Sequence, residues 1–114
     1  MSRPKDLRDD GSIVTVDVHG CTVQDALAII RRSVQQAHRR GRSRLDVVHG
    51  FSTSDRFGYE RSIKNEFRKR LDAGEYRAWV SGSYEDASGG RTSLALNLGS
   101  RPDPTRLKAG DVAS

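Results

Sequence analysis

The stretch Ile13-Val14-Thr15-Val16-Asp17-Val18-His19-Gly20, continuing into Thr22-Val23-Gln24-Asp25-Ala26-Leu27, changes structural period halfway along. Residues 13–19 are mostly β-branched and alternate, which predicts a strand. Gly20 ends it. Thr22 followed three residues later by Asp25 has the spacing of a capping box. From there Val23, Ala26, Leu27, Ile30, Val34 and Ala37 recur at helical spacing on one stripe, with Arg31, Arg32, Gln35 and Arg39 off it. Gly41 is a C-terminal stop, and Arg39 and Arg40 sit favourably in the last turn.

A second strand and helix follow, without an internal sequence repeat. Leu45 to His49 predicts a second strand, again closed by glycine, Gly50. A polar loop follows through Phe51-Ser52-Thr53-Ser54-Asp55. A second helix is expected to begin between Arg56 and Glu60, with Ile63, Phe67 and Leu71 four apart and Ala73-Gly74 at its end. Tyr76 to Tyr84 predicts a third strand and Thr92 to Leu98 a fourth, joined by a hairpin turn at Glu85–Arg91 that contains Gly89-Gly90. The order β-α-β-α-β-β implies an α/β fold of two layers with a small four-stranded mixed sheet. The first strands run parallel across helical crossovers and the last two are antiparallel. Residues 13–98 form the expected domain. Residues 1–12 and 99–114 are expected to be flexible ends, the latter because Pro102, Pro104 and Gly110 punctuate a tail with few apolar residues.

The length, 114 residues, is that of one domain. The single cysteine, Cys21, excludes an internal disulfide and a metal-binding cysteine pair. Met1 to Gly11 has no apolar core of a signal peptide, and no apolar run reaches the length of a membrane span, so a cytoplasmic protein without a membrane partner is expected. The net charge of +5 is unevenly spread. Between Arg31 and Arg70 twelve Lys and Arg face four acids, and the rest of the chain is slightly acidic. Such a concentration favours a polyanionic partner, because phosphate neutralisation releases counterions; a solvated basic face is the plainer reading.

Asp17 and His19, two apart on one strand, point to the same side. His49 ends the next strand at the equivalent place. With parallel strands the three side chains are expected to converge at the carboxyl edge, where open α/β sheets bind ligands and where helix N-termini offer backbone N–H groups to phosphate. A histidine beside a carboxylate is equipped for proton transfer, and Arg61, Lys64 and Arg68 at helical spacing supply positive charge. A strand-end histidine taken alone is more often structural; its repetition favours a site. Asp17 could equally cap a helix or a turn. Ser52, Thr53 and Ser54 fit phosphate contacts better than nucleophilic catalysis, since no nucleophile elbow accompanies them. Cys21 is expected to pack, His38 to be solvated, and Trp79 and Tyr84 either to stack on bases or to pack. One aspartate and two histidines are compatible with a divalent ion such as Mg or Mn without requiring it. No small-molecule cofactor is indicated.

These residues carry a family resemblance. Val16-Asp17-Val18-His19-Gly20 with Thr22 resembles the opening of the Smr (small MutS-related) domain family, which typically reads Leu-Asp-Leu-His-Gly-hydrophobic-Thr. Val47-Val48-His49-Gly50 is similar to its second His-Gly motif, and Gly89-Gly90 before Leu94-Ala95-Leu96-Asn97-Leu98 to its closing strand. The chain looks like a stand-alone member. The resemblance implies the β-α-β-α-β-β fold, binding of DNA or RNA, and in several members endonuclease activity. It places Asp17, His19 and His49 at the catalytic centre. Gly20, Gly50, Ser52, Thr53, Ser54, Arg61, Lys64 and Arg68 are the expected nucleic-acid contacts. The chain departs from the pattern where Ser52 replaces the second glycine of His-Gly-x-Gly, in a longer loop from Phe51 to Gly58, and at Arg91-Thr92, where another glycine is common. Two functions follow: an endonuclease, favoured by retention of the three polar residues, and a non-catalytic nucleic-acid-binding module on the same basic edge, favoured by loss of the loop glycine. A protein-interaction adaptor using the arginine-rich first helix is the weaker third.

Overall fold

The computed structural model describes residues 2–50, 62–99 and 101–113. It contains strands β1 (Asp6–Asp9), β2 (Ile13–Asp17), β3 (Arg44–Val48), β4 (Val80–Glu85) and β5 (Arg91–Leu96). The helices are α1 (Val23–Arg39) and α2 (Ile63–Asp72), and a single 3-10 turn spans Ala109–Asp111. The sheet order is β1-β2-β3-β5-β4. β2 and β3 are parallel, β1 is antiparallel to β2, and β5 is antiparallel to both β3 and β4. The α/β class is as the sequence implies, with five strands in place of four.

The alternation in β2 sorts its side chains. Val14, Val16 and Val18 are fully buried under the helices, and Ile13, Thr15 and Asp17 face the other way. Leu45, Val47, Leu94 and Leu96 extend the same core from β3 and β5. α1 closes over β2 and β3 with Ala26, Ile29, Ile30, Val34 and Ala37 buried. Ser33 is also buried, and its hydroxyl donates to the Ile29 carbonyl at 2.8 Å, so this hydroxyl is satisfied. Thr22 caps α1 by accepting from the Asp25 N–H at 3.1 Å. α2 contributes Ile63 and Phe67, with Leu71 packed beside them.

Four expectations are corrected. α2 begins at Ile63, later than its sequence placement, because Ser62 is extended and its hydroxyl accepts from the Asn65 N–H at 3.1 Å. The third strand begins at Val80 rather than Tyr76. Tyr76 is buried edge-on to Phe67, 5.8 Å between ring centres, and its carbonyl accepts from both Trp79 and Val80, which holds the segment as turns. Residues 1–12, assigned to a flexible end, include the edge strand β1, whose Leu7 packs on the core. Beyond Leu98, Leu107 and Val112 are buried, and the Leu107 N–H donates to Asp9 at 2.8 Å. The apolar side chains of the tail are few, but Leu107 and Val112 belong to the buried core.

Candidate nucleic-acid site

The turn after β2 sets the centre of the site. Asp17 faces away from the core, and Val18, which follows it, extends the parallel ladder by donating to Val48. His19 therefore returns to the side of Asp17. Its Nδ1–H donates to Asp17 Oδ1 at 2.6 Å, and its backbone N–H donates to the same oxygen at 3.1 Å. The carboxylate only accepts, so the proton is fixed on Nδ1 and the lone pair is left on Nε2. That nitrogen accepts from Lys5 Nζ at 3.0 Å. The His19 side chain remains 44% exposed.

An open cleft of about 320 Å³ lies beside His19. Val48 and Gly50 line it from the end of β3, and Asp86, Ser88, Gly90 and Arg91 line it from the turn between β4 and β5. The turn is held by the Asp86 carboxylate, which accepts from Ser88 and from the Gly89 N–H. The Gly90 carbonyl accepts from the N–H groups of both His49 and Gly50, tying the turn to the end of β3. Gly50 has φ near 87° and faces the His19 Cβ, so a side chain here would be strained as well as close to the Asp17–His19 pair. Gly20 has φ near 86° at the entry to α1.

His49 does not join the pair, and strand register is the reason. Asp17 lies opposite Val48 in the parallel ladder. Continuing that register sets His49 opposite the buried Val18, on the helix side of the sheet. The His49 residue is 5% exposed. Its Nδ1–H donates to the Gly50 carbonyl at 2.8 Å, and its Nε2 accepts from the Thr92 hydroxyl at 2.8 Å. The ring lies 6.1 Å from that of Phe67. Burial pushes its pKa below the ordinary histidine value, with Lys64 and Arg68 adding to the lowering, although the Gly50 bond and Glu85 oppose it. The expected convergence of three polar side chains is therefore a convergence of two.

The expected cations on α2 are partly neutralised. Glu85 of β4 accepts Lys64 Nζ at 3.1 Å and Arg68 Nη2 at 2.9 Å. The Lys64 contact first, then that of Arg68, holds the Glu85 carboxyl below its usual range. Ser52, Thr53, Ser54 and Arg61 lie outside the described residues. Cys21 is partly buried, and burial with Asp25 and Asp17 nearby pushes its thiol up, away from a reactive thiolate. Trp79 is packed against the core with the Arg31 guanidinium 5.4 Å from its ring centre, whereas Tyr84 is 61% exposed.

Among the described residues, no three of His, Cys, Asp or Glu come together to hold a metal ion. The donors also do not fit Mg or Mn as arranged: Asp17 and His19 are bonded to each other, and both His49 nitrogens are engaged. No helix among the described residues is long and apolar enough to cross a membrane.

Sequence reasoning missed Lys5, Glu85 and Thr92. Lys5 and Glu85 carry no local signal, since each reaches its partner across the fold. Thr92 is half of the Arg91-Thr92 departure; its hydroxyl supports His49, and Arg91 lines the cleft.

Fold and site together define a small α/β domain with an Asp-x-His pair at the carboxyl edge of a mixed sheet. A family model for the Smr domain matches residues 16–96, more than half of the chain, and the chain belongs to that family. Among solved structures it is similar to the Smr domain of Thermus thermophilus MutS2, with a TM-score of 0.56 and 23% identity over 75% of this chain and 98% of that one. At that identity the likeness shows the fold. No curated protein matches the chain.

Proposed function

We propose that this Smr domain binds DNA or RNA across the cleft at the carboxyl edge of β2 and β3 and hydrolyses a phosphodiester there. The observation that carries the reading is the 2.6 Å bond from His19 Nδ1 to Asp17, which fixes the tautomer and orients Nε2 outward on an exposed ring. In this reading Nε2 takes the proton of the attacking oxygen as the new P–O bond forms. The leaving oxygen departs with its bonding pair and is protonated by solvent. Asp17 stabilises the imidazolium that results. His49 is a positioning residue: it links Gly50 to Thr92 and so holds the walls of the cleft. Arg91 supplies positive charge beside the cleft, while Lys64 and Arg68 beyond the turn are held by Glu85. No step is assigned to a metal, because the donor set among the described residues does not fit one.

The binding-only reading is favoured by one observation: only His19, of the two histidines expected in catalysis, keeps a ring nitrogen directed away from the core. The two readings separate in one experiment. Supercoiled plasmid and structured RNA are incubated with the protein, with divalent metal or with chelator, beside the His19→Ala variant. Cleavage by the native protein that the variant lacks supports hydrolysis. Binding without cleavage leaves the module reading, and equal cleavage by the variant removes His19 from the mechanism.

A further inference from the structure

We infer that Lys5 belongs to this site, as the cation that holds the reacting phosphate against His19; the inference rests on the reading of the cleft as a nucleic-acid site. Lys5 lies outside the residues that match the family, 16–96, so nothing in the family pattern assigns it. The fold brings it in through β1. The Lys5 N–H donates to the Asp17 carbonyl at 2.8 Å, which continues the β1–β2 ladder to the residue that orients His19. On one side of Lys5, the Ser2 hydroxyl donates to Asp25 in the first turn of α1 at 2.6 Å, and Pro4 is buried. On the other side β1 pairs along its whole length with β2. The backbone of Lys5 is thus fixed while its side chain stays exposed.

The side chain ends at the one nitrogen that the mechanism needs. Lys5 Nζ donates to His19 Nε2 at 3.0 Å without substrate, and among the described residues it is paired with no acid there. An ammonium has three donors and a flexible stem, so a phosphate oxygen can displace the imidazole from one of them while the others remain available. The same group then serves two states. Free, it occupies the lone pair of Nε2. With a phosphodiester bound, it transfers to a non-bridging oxygen, frees Nε2 for the attacking oxygen, and neutralises the charge that grows on the phosphorus centre. The partner is therefore a phosphodiester whose oxygens come within reach of Nε2 and Nζ together.

The test measures binding of a labelled single-stranded oligonucleotide, a stem-loop RNA and a DNA duplex as a function of KCl, for the native chain, Lys5→Ala and Lys5→Arg, and then cleavage of whichever is bound. With Lys5→Ala, affinity at low salt falls about tenfold, the slope of log affinity against log salt becomes shallower by about 0.7 to 0.9, and cleavage falls about a hundredfold. Lys5→Arg keeps the native salt slope. A Lys5→Ala protein with native affinity, slope and cleavage overturns the inference and leaves the proposed function standing. A native chain that binds none of the three overturns both. Thermal melts of the variants serve as the control for folding, and the exposed side chain predicts no change in them.

Discussion

Arg42 and Asp9 form an ion pair from which solvent is fully excluded, Nε to Oδ1 at 2.8 Å with a second bond from Nη2 at 3.1 Å. The rest of the guanidinium donates to the carbonyls of Arg40 and Thr105. Asp9 also accepts from the N–H groups of Gly11 and Leu107. One buried pair therefore joins β1, the turn after α1 and the tail. β1 carries Asp9 at one end and leads back to Lys5 at the other, so the pair anchors the strand that delivers Lys5 to His19.

Removing one partner leaves a buried charge unpaired. Arg42→Met or Asp9→Leu is expected to destabilise the fold by about 3–5 kcal/mol, and the double variant by less than either. Urea unfolding of the three proteins checks this. Burial raises the Asp9 pKa, but Arg42 and the two backbone donors outweigh it and hold the value below the ordinary range. A carboxyl depressed in the folded state stabilises above its unfolded pKa. That stability declines as pH falls from about 3.9 through the lower folded value. Acid titration of stability in Asp9→Asn should lack this component.

Asp17→Asn tests the orientation of His19. An amide can donate to Nδ1 and so favour the proton on Nε2, the wrong tautomer for a base. Cleavage is expected to fall about a thousandfold or more while affinity for nucleic acid stays near native. Equal losses in both would mean that Asp17 shapes the cleft rather than the imidazole.

His49 is expected to show itself in stability more than in chemistry. Its folded pKa is lowered by burial, so the folded state favours the neutral ring. Stability is then full above the unfolded value of about 6.5 and is lost as pH falls through the folded one. His49→Gln should flatten that dependence, measured by thermal melts between mildly acidic and neutral pH. It should retain more cleavage per folded molecule than His19→Ala.

Glu85 holds Lys64 and Arg68 away from a polyanion. Glu85→Ala is expected to tighten nucleic-acid binding at low salt and to steepen the salt dependence by about 0.7 to 0.9 for each cation that then reaches a phosphate. Fluorescence polarisation across a KCl series measures both. An unchanged slope would place the α2 cations off the path of the backbone.

The tail contributes to the core. Ending the chain at Arg106 removes the buried side chains of Leu107 and Val112 and one donor to Asp9. The expected loss is about 3 kcal/mol or more in unfolding free energy. A truncated protein as stable as the full chain would show that the tail only rests on the surface.

Much of this was legible in the residues alone, and the legible part was local. The two-residue period from Ile13 to His19, the Thr22 cap and the apolar stripe of α1 each depend on neighbours within a few positions, where backbone geometry dictates which side chains share a face. The Asp17–His19 pair belongs to that class, being two residues apart on one turn. His49 has the same local signature as His19, a histidine before glycine at a strand end. Alternation along β3 puts it on the face of Leu45 and Val47, and the pairing of Asp17 with Val48 aligns that face with the buried Val18, so its ring enters the core. The insertion of β5 between β3 and β4, the reach of Lys5 to His19, the capture of Lys64 and Arg68 by Glu85, and the burial of Arg42 with Asp9 and the tail are likewise tertiary. Each joins residues far apart in the chain, where neither period nor propensity specifies a partner. The sequence determined the main elements and the Asp17–His19 pair; the register and order of the strands determined what surrounds it.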